Sequence, residues 1–187
     1  MPVKSKDLHG NVPDQSGAAL LLIDVVNDFE FEGGEKLLPV ALPVGKAIAE
    51  LKRAAKRAGV PAIYVNDNFG KWQSDLNKIV SHCLEDQVRG KAFVEIVLPD
   101  EDDYFVLKPK HSGFYSTTLE ILLEHLGARS LILTGIALHK KSAIRGSCDE
   151  IAARKGPPVN CHAREGMGLT AHQKTERRRR DSVYVLS

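Results

Sequence analysis

Two residues of this chain stand where a carboxylate and an ammonium group could work together. Asp24 closes the apolar run Ala18-Ala-Leu-Leu-Leu-Ile-Asp24, and Lys108 closes Tyr104-Phe-Val-Leu-Lys108. An aspartate and a lysine brought to the carboxyl ends of parallel strands can act as general base and charge stabiliser. The same pair can equally be a structural ion pair, and spacing alone does not separate the two readings. Between them lies the turn-rich loop Asn66-Asp-Asn-Phe-Gly-Lys-Trp72. A further apolar run, Ser130-Leu-Ile-Leu-Thr-Gly-Ile-Ala137, delivers the chain to a place where a nucleophile is expected. The residues at that place are Leu138-His-Lys-Lys141.

The elements that must position these residues read as alternating strands and helices. Ala18–Asp24 is short and continuously apolar, the pattern of a strand buried on both faces of a parallel sheet. A helix is expected over about 43–58, with Pro43 in its first turn, an apolar stripe of Val44, Ala47, Ile48, Leu51 and Ala55, and a stop at Gly59. Val60–Val65 is the second strand and Tyr104–Leu107 the third. Residues 73–102 hold one or two short helices. Thr117-Thr-Leu-Glu120 has capping-box spacing and opens a helix through Leu119, Leu122, Leu123 and Leu126 that stops at Gly127. Leu131–Leu133 is the fourth strand. This order implies a parallel sheet covered on both sides with right-handed crossovers.

At 187 residues, with 43% apolar and 27% charged residues, one domain over 1–187 is expected, with residues 1–16 as an N-terminal arm. No apolar run approaches the roughly 20 residues of a membrane span, and the first residues lack a signal-peptide stretch, so no membrane partner and a cytoplasmic location are expected. Cys83, Cys148 and Cys161 have neither metal-type spacing nor an even count, which argues against a disulfide framework. Charge is split unevenly. Residues 138–187 hold 11 Lys/Arg and 5 Asp/Glu, a net +6, against −4 for residues 1–137. Beyond Ala137 the helical and strand periods fade. Ser142–Lys155 is at best a helix weakened by Gly146, and Pro157–Cys161 a strand fragment. Only eight Val, Ile or Leu occur in the last 50 residues. The run Arg177–Arg180 between Glu176 and Asp181 reads as a solvated tail, with nucleic-acid binding the weaker alternative.

Three blocks carry a resemblance to a known family. Leu22-Ile-Asp-Val-Val-Asn-Asp-Phe29, Lys108-Pro-Lys-His-Ser-Gly-Phe114 with Thr117 and Leu119, and Leu133-Thr-Gly-Ile-Ala137 resemble the signature blocks of the isochorismatase-like cysteine hydrolases. Order and spacing agree over roughly residues 17–137. The resemblance implies a three-layer α/β/α sandwich with a parallel sheet of five or six strands, in a homo-oligomer. It also implies hydrolysis of a C–N bond in a small amide-type substrate by an Asp-Lys-Cys triad, through a thioester. Asp24 matches the general base and Lys108 the lysine that lowers the thiol pKa. The Ile136–Ala137 bond matches a family cis peptide that aims backbone N–H groups at an oxyanion. Phe29, Asn68, Trp72 and Phe114 match positions that line the substrate pocket, although each has a plain reading as core or loop packing. Nicotinamidases in the family hold a metal after the second strand with Asp and His ligands. Here the loop offers Asn66, Asp67 and Asn68, and no His lies between His9 and His82, so neither metal nor other cofactor is expected.

The resemblance breaks at one position. The family cysteine falls four residues after the alanine of the Gly-Ile-Ala turn, and that position is Lys141 here. A protonated amine has no free lone pair with which to attack a carbonyl. Cys148, seven residues on, would lie about 10 Å away along a continuous helix. The whole block 138–187 departs from the family pattern, consistent either with a frameshifted C-terminus or with a diverged tail. An inactive, small-molecule-binding member that keeps the pocket is the alternative to an impaired hydrolase.

Overall fold

The computed structural model describes residues 15–109, 113–114, 117–136, 160–164 and 182–186. The elements run β1 (Ala18–Ile23), α1 (Gly34–Arg57), β2 (Ala62–Asp67), α2 (Leu76–Glu85), α3 (Lys91–Ile96), β3 (Tyr104–Lys108), α4 (Leu119–Leu126), β4 (Ser130–Gly135), β5 (Asn160–Arg164) and β6 (Ser182–Leu186). Six parallel strands form one sheet in the order β3-β2-β1-β4-β6-β5.

Alternation along each strand sends side chains to opposite faces and divides the core in two. Leu20 and Leu22 of β1 join Ala62 and Tyr64 of β2 beneath α1, α2 and α3, where Ile48, Ile79 and Phe93 complete the layer. Ala19, Leu21 and Ile23 join Ile63, Val65, Leu131 and Leu133 beneath Leu119, Leu123 and Leu126 of α4. The result is the expected three-layer α/β/α sandwich. Each fully buried aliphatic side chain contributes about 1.5–3 kcal/mol to this arrangement.

Several local expectations shift. Helix α1 begins nine residues before Pro43, and Pro39 and Pro43 both lie inside it. They sit four apart on the exposed face, so the carbonyls that lose an N–H partner face water rather than core. The buried stripe follows Ala41, Gly45, Ile48, Lys52 and Ala55, while Ala47 is exposed. The stop at Gly59 holds: with φ at 69° it lets Val60 N–H reach the Ala55 carbonyl at 2.9 Å. Gly127 ends α4 in the same way. The capping box at Thr117 takes another form. Thr117 Oγ1 accepts from the Leu119 N–H at 3.2 Å and donates to the Gly113 carbonyl at 2.6 Å. The C-terminal region, where the aliphatic count foreshadowed at most a fragment, supplies β5 and β6. Backbone pairing to β4 extends the sheet there, and main-chain hydrogen bonds do not require the long aliphatic runs from which strands are recognised. The region expected to be helical over Ser142–Lys155 and the run Arg177–Arg180 lie outside the described residues. No helix among the described residues is long and apolar enough to cross a membrane.

A buried lysine fastens the amino-terminal edge of the sheet. Lys52 Nζ, on the core face of α1, donates to the Leu98 carbonyl at 2.8 Å and to Tyr64 Oη at 3.0 Å, and pairs with the Asp103 carboxylate. Tyr64 Oη in turn donates to the Val97 carbonyl at 2.7 Å. Asp100, Asp102 and Asp103 are close enough to share a cation, and here Lys52 and Lys56 supply that charge. Replacing Lys52 by methionine keeps the volume but strands the Asp103 carboxylate, whose side chain is only 6% exposed. Breaking such a pair costs about 3–5 kcal/mol. We expect Lys52→Met to lower the urea-unfolding free energy by that amount. Ile121→Ala, at a site 68% exposed, should stay within about 0.5 kcal/mol of the parent.

Candidate active site

The strand order reverses between β1 and β4, and in an open parallel sheet the carboxyl side of such a switch point forms a crevice for ligands. The register brings the four strand ends level, with Ile23 beside Gly135 and Val65, and Asp67 beside Lys108. Gly135 is needed for this approach. A Cβ there would lie 2.1 Å from the Ile23 carbonyl oxygen.

Asp24 and Lys108 meet at this edge. Lys108 Nζ lies 2.9 Å from Asp24 Oδ1 and 3.8 Å from Asp67 Oδ2. The lysine side chain is 2% exposed, whereas those of Asp24 and Asp67 remain 25% and 33% open to solvent. Asp24 Oδ1 also accepts the Asp67 N–H at 3.2 Å. Asp67 is held as well, its Oδ1 accepting the Phe69 N–H at 2.6 Å. A cation is thus enclosed at the carboxyl edge of the sheet, beside carboxylates that remain partly open to solvent.

The backbone around this pair is unusual. Among the described residues, the non-glycine positions with positive φ are Asp24 at 53°, Phe29 at 57° and Phe69 at 52°. Left-handed backbone costs about 1–3 kcal/mol at such residues and gathers at functional sites. All three lie in loops that leave β1 and β2. In two of them an acceptor two residues earlier holds the turn: Asn27 Oδ1 takes the Phe29 N–H, and Asp67 Oδ1 takes that of Phe69. The loop after β1 is fixed from two further sides. Asn66 accepts the Val26 N–H at 3.1 Å and donates to the Val26 carbonyl at 2.7 Å. Gly90 donates its N–H to the Asp28 carbonyl at 2.8 Å, where a Cβ would lie 2.0 Å from the Asn27 carbonyl oxygen.

The residues expected to line a pocket fall into separate places. Asn68 and Trp72 line a cleft of about 710 Å³ between the loop after β2 and α2, together with Phe69, Gln73, Asp28 and His82. Asn68 is buried, with its N–H on the Lys108 carbonyl, while Trp72 is 80% exposed. Phe29 is instead wholly buried, its ring 5.4 Å from that of Phe93. Phe114 packs against the α4 side of the core. Ile136 directly follows β4, its N–H on the Ile23 carbonyl at 3.2 Å. Ala137 and Lys141 lie outside the described residues. Sequence reasoning named Asn66 only as part of the polar loop after the second strand, with no role of its own, and passed over His82. A second polar residue at the end of an apolar strand was the available signal for Asn66, whereas His82 gains its meaning only when α2 packs beside Asp28.

Burial and charge compete at Asp24. Removal from water raises its carboxyl above the usual aspartate value, against the lowering effect of Lys108. A base raised toward neutrality is a stronger proton acceptor when ionised. His82 sits between Asp86 at 2.7 Å and Asp28 at 3.2 Å, and hydrogen bonds to these carboxylates raise it above the usual histidine value. For Asp24 the sign of the linkage is fixed by this direction. The folded state holds this proton to higher pH than the unfolded chain, so the associated stability is complete below the ordinary aspartate value and disappears as pH rises through the elevated one. Urea titrations of the parent and Asp24→Asn across the acid range should show the parent losing stability relative to the variant as pH increases. A constant difference would contradict this.

The geometry has clear relatives. The model of the isochorismatase domain matches residues 18–140. The chain is 42% identical over 119 residues to the isochorismatase family protein YaaI of Bacillus subtilis, covering 64% of this chain and 65% of the relative. It is 26% identical over 150 residues to the ureidoacrylate amidohydrolase RutB of Methylorubrum extorquens, covering 66% and 60%. The chain therefore spans somewhat under two thirds of the length of these curated relatives. An isochorismatase family protein from Desulfovibrio vulgaris shares the fold, with a TM-score of 0.53 over 73% of this chain and 75% of its own at 22% identity. With a family match over residues 18–140 that includes both Asp24 and Lys108, this chain belongs to the isochorismatase family.

Proposed function

We propose that this protein is a hydrolase acting on a C–N bond of a small amide-type molecule, with Asp24 as general base and Lys108 as the cation beside it. The observation that carries this reading is the 2.9 Å contact between Lys108 Nζ and Asp24 Oδ1 at the carboxyl edge of the sheet, with the lysine enclosed and the carboxylate open. In the triad reaction Asp24 takes the proton of a thiol and the thiolate attacks the amide carbon. The C–N bond breaks, the amine leaves with a proton, and water then cleaves the thioester. The cation beside the base favours the ionised thiol. In this reading Lys141 occupies the position of the attacking sulfur, and a protonated amine there leaves thioester chemistry impaired. The amidohydrolase among its relatives supports the bond class. We take the protein to work on its small-molecule substrate as a homo-oligomer, as family resemblance implies, and in the cytoplasm.

A second reading, a family member that binds a small molecule without turnover, is favoured by the same lysine together with the cleft bearing Trp72 and Asn68. One experiment separates the two. The parent, Lys141→Cys and the double variant Lys141→Cys/Asp24→Asn are assayed against a panel of small amides and ureides, with and without iodoacetamide. The hydrolase reading expects Lys141→Cys to gain at least about 100-fold in turnover, alkylation to abolish the gain, and Asp24→Asn to reduce it by about 10²–10⁴-fold. Parent turnover that survives alkylation would overturn the impairment. Thermal stabilisation by a panel compound with no turnover in any variant would establish the binding reading.

A further inference from the structure

The loop that carries Asp24 has no regular structure between Ile23 and α1, yet its aspartate must be held to within a few tenths of an ångström of Lys108. A catalytic carboxylate placed in a loop depends on its supporting contacts for such precision. The source of that constraint is visible in the side chain of Asn66. This residue is 1% exposed, and its amide oxygen and amide nitrogen both close on the same residue, Val26, at 3.1 Å and 2.7 Å. A primary amide pairing with both the N–H and the C=O of one residue reproduces a strand ladder with a side chain. Val26 lies two residues beyond Asp24, and Asn66 immediately precedes Asp67, whose N–H is on Asp24 Oδ1. The Asp24 N–H, on the Val65 carbonyl at 3.0 Å, completes a frame in which three consecutive residues of β2 grip residues 24 and 26. Between these grips Asp24 is turned into left-handed backbone at φ 53°.

We infer that Asn66 is a positioning residue: its two hydrogen bonds to Val26 hold the loop after β1 in the left-handed turn that places Asp24 on Lys108. This rests on the reading of Asp24 as the base, and the test uses no turnover, so failure of one does not entail failure of the other. Neither bond reaches the crevice or a substrate position, so Asn66 acts through the backbone. Among the described residues, the charged groups facing Asp24 are Lys108 and Asp67.

The experiment is an NMR titration of the full chain across the acid range for the parent, Asn66→Ala, Asn66→Ser and Lys52→Met. In the parent the Asp67 amide proton, bonded to Asp24 Oδ1, shifts with the Asp24 carboxyl, whose midpoint lies above the ordinary aspartate value. The Phe69 amide, bonded to Asp67 Oδ1, reports Asp67 separately. In folded Asn66→Ala or Asn66→Ser the Asp67 amide should lose its Asp24-linked shift, and the Asp24 midpoint should fall toward that of an exposed aspartate as the loop opens to water. Lys52→Met, a buried substitution at the opposite edge, should leave both unchanged. An Asp67 amide that still follows Asp24 with the parent midpoint in a folded Asn66 variant overturns the proposal. So does the same loss in Lys52→Met, because the effect is then general destabilisation. Hydrogen exchange on the parent decides the matter if neither Asn66 variant folds. Val26 N–H protection matching that of the β1 amides supports the clamp, and exchange as fast as in exposed loops refutes it.

Discussion

A parallel sheet covered on both faces leaves polar groups only the two edges where its strands end, and this constraint organises the molecule. Every residue of β1 from Ala19 to Ile23 is buried, and its alternate side chains feed two separate cores. A charge within that span would face hydrocarbon on either side at a cost of several kcal/mol. The carboxylate therefore appears at the first residue beyond the strand, and lysine at the last residue of β3. Parallel register then sets both on one edge, as a consequence of the same burial that stabilises the fold.

The two edges each hold an enclosed lysine, and they differ in what surrounds it. Lys52 is satisfied by a carboxylate, a tyrosine hydroxyl and a main-chain carbonyl, and its main carboxylate partner is at least as buried as the lysine. That arrangement joins α1 to the segment before β3 and presents little to solvent. Lys108 is enclosed too, but its carboxylate partners are a quarter to a third exposed, and the backbone beside them is left-handed at three non-glycine positions. Strain persists only where the surroundings over-determine it. Here those surroundings are the hydrogen bonds from β2 and the close approach of Gly90. An ion pair alone is weak grounds for assigning function; an ion pair that is half open, strained and placed at a switch point is stronger.

How much of this was legible in sequence depended on how local the determining physics was. The strands β1 to β4 follow from apolar runs, and the stops at Gly59 and Gly127 follow from the need for positive φ at a helix end. The full extent of α1 did not, because Pro39 and Pro43 are local vetoes that only their placement on the exposed face can lift. Strands β5 and β6 were hidden for a different reason. The residues of β5, Asn-Cys-His-Ala-Arg, are poor strand formers, whereas the Val-Tyr-Val-Leu of β6 is a short strand signal that follows directly on a basic run. At the site, Asp24, Lys108 and Asn68 could be named from motif and position. Phe29 shares a motif with Asp24 yet belongs to the core, because a motif does not say which way a side chain turns.

Read along the chain alone, the layered α/β architecture and the places of the aspartate and lysine at strand ends are already fixed. These depend on residue type and on separations of a few residues. Only the tertiary structure decided that Asp24 and Lys108 touch, that Asp67 shares the lysine, that Asn66 grips Val26 across 40 positions of chain, and that His82 joins Asp28 beside the cleft. The physical reason is that a hydrogen bond or ion pair is specified within a few tenths of an ångström. Such precision between distant residues comes from the packing of both cores and the register of the sheet, and is carried by no short stretch of the chain.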